Sequence, residues 1–407
     1  MSLADRIGFP RGLPFALRLA LGCYLLHVFC QGKIALAESF AGLTIVFLWW
    51  ALLLKKQIRP SFHILLYPLA LYGIASTASA IAASRSIHIY FEGMVWVKML
   101  TFPIGLMFFR TFPRVRNIAL WLHILMGTIS AIIGLVQYFG LGRHDLEHRI
   151  TGPSTHVMTF SGLLLPVSLL LIVLAFHIRK WWLILPASIV TVTLLLTFTR
   201  SIWLGWIFGL LAVLLFTRPR MIAWAVPAFI LFVTFMPLPL FSRLISIFDA
   251  KQESNLDRIR MAEAGVEIIR DYPLLGVGPA NVKEIYPLYR RHDAPRFRIP
   301  HLHNTVLQLW AERGIVAVIA YFLLLGLFLR ECWRGWNGPA RAFARAGAAI
   351  AVGLAVAGLF EFNFGDTEVF YIMLDLFALT VAVLERGTPA DEVVRLGAEQ
   401  HLGLSPA

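Results

Sequence analysis

The chain has 407 residues, of which 58% are hydrophobic and only 14% charged. A soluble domain carries about 25% charged residues, so this composition excludes an ordinary water-soluble fold and places most of the surface in lipid. The net charge of +13 raises nucleic acid as a partner. No nucleic-acid module is visible, however, and much of the excess sits in short loops between apolar runs, where it orients a protein against anionic lipid.

Taken in chain order, apolar runs able to cross a bilayer fall near 14–31, 34–54, 62–83, 94–109, 118–139, 157–178, 181–198, 202–216, 222–236, 304–329, 345–361 and 368–384. A spanning helix needs roughly 20 such residues. A closed β-barrel would show short alternating segments instead, and the sequence has none. The pattern predicts an all-α polytopic membrane protein with about twelve transmembrane helices. Every second gap is basic: Arg6, Arg11 and Arg18; Lys55, Lys56 and Arg59; Arg110, Arg114 and Arg116; Arg179 and Lys180; Arg218 and Arg220; Arg330, Arg334 and Arg341. Short cytoplasmic loops collect Lys and Arg, so both termini read as cytoplasmic. Residues 35–37 have the small-x-small form of a cleavage site, but the apolar segment before them is longer than a signal core and more spans follow, which predicts an uncleaved first span. Cys23, Cys30 and Cys332 form neither a disulfide framework nor zinc spacing. The chain thus divides into helices 1–9 over residues 1–236, one large outer loop over 237–302, helices 10–12 over 303–386 and a cytoplasmic tail over 387–407.

Polar chemistry gathers on the non-cytoplasmic side. Arg200 lies between two spans that together occupy only 181–216, so its guanidinium sits at or just inside the outer interface, where an ionisable residue is a functional candidate. Lys98 lies inside the fourth span, where it must snorkel outward or pair with an acid. In the long loop, Ser254 and Asp257 resemble a capping box, and Ile259, Ala262, Val266 and Ile269 form an apolar stripe at helical spacing, so amphipathic helices are expected there. Arg258 and Arg260 stand roughly 200° apart on that helix, so one is expected at a site and the other at the surface. A turn at 273–279 precedes a basic stretch with Arg290, Arg291, Arg296 and Arg298, suited to solvent, lipid headgroups or an anionic substrate.

The loop returns to the membrane through Pro300-His301-Leu302-His303-Asn304. Asn304 is placed to cap the next helix, whose N-terminus favours a nearby anion and keeps an adjacent imidazole neutral. In an extended segment His301 and His303 point to opposite sides, so one metal ion held by the pair is not expected. Gly276 and Gly278 lack a nucleotide-binding fingerprint and read as a turn. Glu361, Asp366 and Glu368 cluster in the last outer loop with a spacing that matches no known site.

Three stretches coincide with a known signature. TFTRS at 197–201, DRIRMAEAGVEIIRDYPLLGVGPANV at 257–282 and HLHNTVLQLWAERGIV at 301–316 resemble the O-antigen ligase/polymerase superfamily, and within it the O-antigen ligases of lipopolysaccharide assembly. The pattern runs His-Asn, nine residues, Gly, two residues, then Gly, Thr or Tyr; here Ala317 holds the last position. The family's loop arginine matches Arg258 rather than Arg260.

The resemblance implies a GT-C-like helical glycosyltransferase of the bacterial inner membrane with one large periplasmic loop and a periplasmic site, using neither cofactor nor metal. It implies undecaprenyl-pyrophosphate-linked O-antigen as donor and lipid A–core oligosaccharide as acceptor. His303 would act as general base, with Arg200 and Arg258 on the pyrophosphate, and Arg260, His301, Asn304, Arg290 and Arg291 as further substrate contacts. The same family includes O-antigen polymerases and protein O-oligosaccharyltransferases. A lipid-linked sugar transporter is the reading from another class, but internal repeats and midplane charges typical of transporters are not evident.

Overall fold

A computed structural model describes residues 13–54, 62–83, 95–143, 145, 147–222 and 252–395, together with 234, 241–242, 245–246 and 249. Among these residues the regular structure is entirely helical: α1 (Phe15–Phe29), α2 (Ile34–Leu54), α3 (Leu66–Ala82), α4 (Trp96–Met99), α5 (Thr101–Thr111), α6 (Pro113–Leu135), α7 (Val157–Ile178), α8 (Trp181–Leu196), α9 (Arg200–Thr217), α10 (Glu253–Asp271), α11 (Val282–Tyr289), α12 (Thr305–Arg334), α13 (Arg341–Gly358), α14 (Thr367–Arg386) and α15 (Ala390–Val394). By length and composition, seven described helices suffice to cross a membrane: α2, α6 with its extension to Gly140, α7, α9, α12, α13 and α14. The apolar helices α1, α3 and α8 are shorter.

Eleven of the twelve expected stretches therefore fall on helices, and the ninth, 222–236, lies almost wholly outside the described residues. The fourth differs most. It is two pieces, α4 and α5, divided at Leu100. Pro103 lacks an amide donor and sits most easily in a first helical turn, and here it falls at the third position of α5.

The helices α7 and α14 are buried almost all round, whereas α2 presents most of its surface outward. Lipid gives apolar side chains no gain on helix association, so close backbone approach and buried polar contacts matter more. Both occur. Gly205 and Gly209 of α9 lie against the backbone of α13, where an added Cβ would run into the carbonyls of Gly353 and Ala349 respectively. Between α1 and α14, Tyr24 Oη donates to Asp375 Oδ1 at 2.8 Å, and Gln31 Nε2 donates to Asp375 Oδ2.

Among the described residues, several of the basic gaps share one end of the bundle. There Arg110 is bonded to both carboxylate oxygens of Glu385, Arg116 donates to Thr388, and Lys180, Arg341 and Arg395 line one cavity. At the other end α7 begins at His156, α12 begins at Asn304, and the 359–366 loop joins α13 to α14. Lys98 resolves into a pair there, 3.5 Å from Glu38 and donating to Thr367 Oγ1 at 2.7 Å.

Over that second end α10, α11 and residues 299–302 build a small core of their own, with Met261, Ala264, Ile268, Tyr286, Leu302 and Ala311. Two local expectations are corrected here. The N-cap of α10 is Gln252, without a side-chain cap, and Ser254 lies inside the helix; its hydroxyl accepts from Arg200 instead. The face turned inward is Asp257, Met261, Ala264, Gly265 and Ile268, while Ile259 and Val266 are 45% and 39% exposed. Gly265 explains the shift, since its missing side chain makes room for Leu302. A docking face built partly from alanine and glycine is inconspicuous in a hydropathy pattern.

Candidate active site

The return of the chain into α12 is set by Asn304. Its Oδ1 accepts from Leu307 N at 2.9 Å, the expected N-cap, and its Nδ2 donates to the Leu359 carbonyl at 2.8 Å. One side chain thus satisfies a first-turn amide and ties the 359–366 loop beside it. Thr305 adds a bond from its hydroxyl to the Glu361 carbonyl at 3.0 Å.

The residue before the cap departs from extended backbone. His303 has φ of +50°, a left-handed conformation that is uncommon outside glycine. This overturns the expectation that His301 and His303 face opposite ways. Their rings meet edge to face with centroids 4.2 Å apart, and the carboxylate of Glu361 lies against both. His303 Nδ1 is 3.0 Å from Glu361 Oε2, and His301 Nε2 is 3.5 Å from Oε1. The Phe362 amide also donates to Oε1.

The bonding pattern fixes the tautomer of His301. His301 Nδ1 accepts from the His303 backbone amide, so its proton sits on Nε2, toward Glu361. His303 Nδ1 lies in hydrogen-bond contact with Glu361, and its Nε2 has no protein partner among the described residues. Burial pushes the Glu361 carboxyl upward, but the hydrogen bond from His303 and the charges of both imidazoles outweigh it and hold the group at about 2. Burial dominates at His301, lowering it to about 4 despite the attraction of Glu361. At neutral pH the site therefore contains an ionised carboxylate and an uncharged His301. The three facing ligand atoms lie within 4.8 Å of one another, so these side chains are also the ones that could hold a divalent cation.

Arg258 approaches from α10. Its guanidinium is lowered by burial and held up by the charges of Glu361 and Asp257, and among the described residues no hydrogen bond or ion pair occupies it. The other expected arginines are engaged. Arg200, buried at the start of α9, donates to the Ser246 carbonyl at 2.7 Å, Gln252 Oε1 at 2.8 Å, Ser254 Oγ at 3.0 Å and Asn255 Oδ1 at 2.6 Å, so it ties the α8–α9 hairpin to the start of α10. Arg260 is paired with Glu263 and Asp293, Arg291 with Glu263, and Arg296 with Asp257 at 3.1 Å. Arg290 donates to the Ala294 carbonyl and lies over Phe297. The structure thus brings His301, His303, Glu361 and Arg258 together, while the basic stretch mainly knits the loop to α10.

Two further partners could not be read from sequence. Glu361 stands 58 residues after His303, in an acidic cluster whose spacing has no motif. The second is a joint beneath the site. α12 is broken at Gly314, with φ 76° and ψ 178°, and the 273–278 turn supplies the missing bonds. Val277 N donates to Ala311 O at 2.9 Å, Gly278 N to Glu312 O at 3.0 Å, and Ile315 N to Pro273 O at 3.2 Å. Trp310 Nε1 also donates to Pro273 O. A Cβ at Gly314 would overlap the Leu274 carbonyl, and one at Gly276 the backbone of Glu312. The expected turn and the glycine of the third motif are therefore two halves of one contact.

Fold and site together define a helical membrane protein with a histidine–carboxylate centre at one end of its bundle. Residues 185–322, which include Arg200, α10, the turn and the histidines, match the family model described as O-antigen ligase, and this supports membership of the O-antigen ligase/polymerase family. Members of that family are glycosyltransferase-like enzymes acting on lipid-linked glycans. No curated protein gives a match to the chain.

Proposed function

We propose that the chain is an O-antigen ligase, moving O-antigen from undecaprenyl pyrophosphate onto lipid A–core oligosaccharide at the periplasmic face of the inner membrane. The reading keeps both termini cytoplasmic, a GT-C-like bundle and the 237–302 loop as a periplasmic cover. The observation that carries it is the His303–Glu361 pair, which leaves the other imidazole nitrogen open, with Glu361 in electrostatic reach of Arg258, whose guanidinium has no partner among the described residues.

In this reading His303 Nε2 takes the proton from the acceptor hydroxyl as its oxygen attacks the anomeric carbon. The bond from that carbon to the pyrophosphate oxygen breaks, and undecaprenyl pyrophosphate departs with the electron pair. Arg258, with Arg200 at the base of the loop, offsets the charge growing on the leaving group. Glu361 holds the ring in the tautomer a base needs and stabilises the imidazolium that forms. A single displacement inverts the anomeric configuration, and retention in the product would remove this version.

The test is glycan transfer by the purified protein with undecaprenyl-pyrophosphate O-antigen and lipid A–core, in EDTA and without nucleotide. Wild type is expected to form product, and His303→Ala to lose about 10²–10⁴-fold. Full activity in the mutant would sink the base. Activity that EDTA abolishes and zinc restores would favour the divalent-cation reading of His301, His303 and Glu361. Product only with a second lipid-linked glycan as acceptor would favour a polymerase.

A further inference from the structure

The bundle end opposite the histidines contains a cavity of about 440 Å³ where α7 ends, α8 and α13 begin, and α15 folds back. Its wall is predominantly cationic. Lys180 and Arg341 line it with side chains that make no hydrogen bond or ion pair among the described residues, whereas Arg395 lies 3.8 Å from Asp391, the acid in the same wall. His177, also in the wall, has its Nδ1 on the Val173 carbonyl at 2.8 Å. Its Nε2 accepts from Arg345 at 2.8 Å, so a further guanidinium is held beside the cavity by a neutral partner.

Backbone polarity adds to this. Both α8 and α13 start at the cavity without a side-chain cap; the Leu183, Arg341 and Phe343 amides bond to nearby backbone carbonyls, and each helix still turns the positive end of its dipole toward the space. The wall is also rigid. Trp182 stacks on Trp121 with centroids 5.3 Å apart, and Trp121 Nε1 donates to the Val394 carbonyl, which fastens α15 in place. Loop charges that serve only to orient a membrane protein would spread into solvent. Here they line one half-open cavity together with two helix N-termini, an arrangement that suits a phosphate.

We infer that this cavity binds a phosphate group, carried either by an anionic phospholipid headgroup or by a soluble phosphate. The ligase reading plays no part in the argument. Basic pockets between helices on the cytoplasmic side bind such headgroups in membrane proteins generally, and the apolar side chains of Ile178 and Val394 would accept the glycerol end of a lipid.

The experiment uses the full-length protein in neutral detergent, titrated with phosphatidylglycerol and read by native mass spectrometry. The variant is Lys180→Gln with Arg341→Gln. Both residues are exposed on one side and remote from the histidines, so the double variant should keep the wild-type unfolding temperature and elution volume, which report an intact fold. Phosphatidylglycerol should bind the wild type and bind the double variant roughly 25-fold more weakly, at about one interaction per lost charge. Phosphatidylcholine should not compete. If millimolar inorganic phosphate displaces the lipid, the inference holds with a soluble phosphate as a sufficient ligand. Equal binding of phosphatidylglycerol to wild type and to a folded double variant would overturn it.

Discussion

The two ends of the bundle handle charge in opposite ways. At the histidine end nearly every ionised group has a specific partner: Glu361 with two imidazoles, Arg260 with two acids, Arg296 with Asp257, Lys98 with Glu38. At the opposite end Arg110 is paired with Glu385, but around one cavity Lys180, Arg341 and Arg395 gather with a single acid, Asp391, in the wall. The first arrangement fixes side chains to within a hydrogen bond and leaves one nitrogen and one guanidinium available, which is what a reaction centre requires. The second leaves a field rather than a geometry, suited to holding an anion or setting orientation in the membrane. Counting charges along the sequence finds the second kind of site and misses the first.

Four substitutions or conditions would break or sharpen that contrast. Glu361→Gln keeps a hydrogen-bond acceptor and removes the charge, so glycan transfer should fall about 10–100-fold, with the protein still folded. An unchanged rate would reduce Glu361 to packing. Gly314→Ala forces a side chain into the joint with Leu274 and into a left-handed backbone position. It should destabilise by about 2 kcal/mol or more, seen as a lower unfolding temperature together with lost transfer. Normal stability in that variant would mean the joint is not needed.

The third concerns pH. His301 titrates near 4 when folded against an ordinary 6.5, so between those values the unfolded chain binds the additional proton and stability falls as pH drops. Unfolding temperature measured across that window should decline for wild type and decline less for His301→Gln. Parallel curves would exclude His301 as the source. The smallest effect is expected from Arg260→Ala, whose exposed ion pairs contribute little. Transfer should change by about threefold or less, against a far larger loss for Arg258→Ala.

How much was legible in the sequence follows from which features are local. Hydrophobic length is a property of one segment, so eleven stretches fall on helices, and among the described residues several basic gaps lie at one end. Capping is also local, and Asn304 caps α12. What failed depended on partners distant in the chain. Ser254 looked like a cap because nothing in its neighbourhood announces Arg200, 54 residues earlier. The histidines looked divergent because an extended chain is the default, whereas the left-handed turn at His303 and the docked 359–366 loop bring them together. Glu361 carries no local signal at all. Its role exists only once α13 and α14 set that loop beside the start of α12.

The break at Gly314 gives the spacing of the third motif a mechanical meaning. Between the cap at Asn304 and the break lie nine residues, 305–313, anchored at one end by the last outer loop and at the other by the 273–278 turn. Each residue of helix turns about 100°. Adding or deleting a single residue there would keep every side chain of the site and yet rotate the histidines away from Glu361 or unseat the turn from its carbonyls. The segment is a ruler clamped at both ends, and its length belongs to the candidate site as much as the imidazole does.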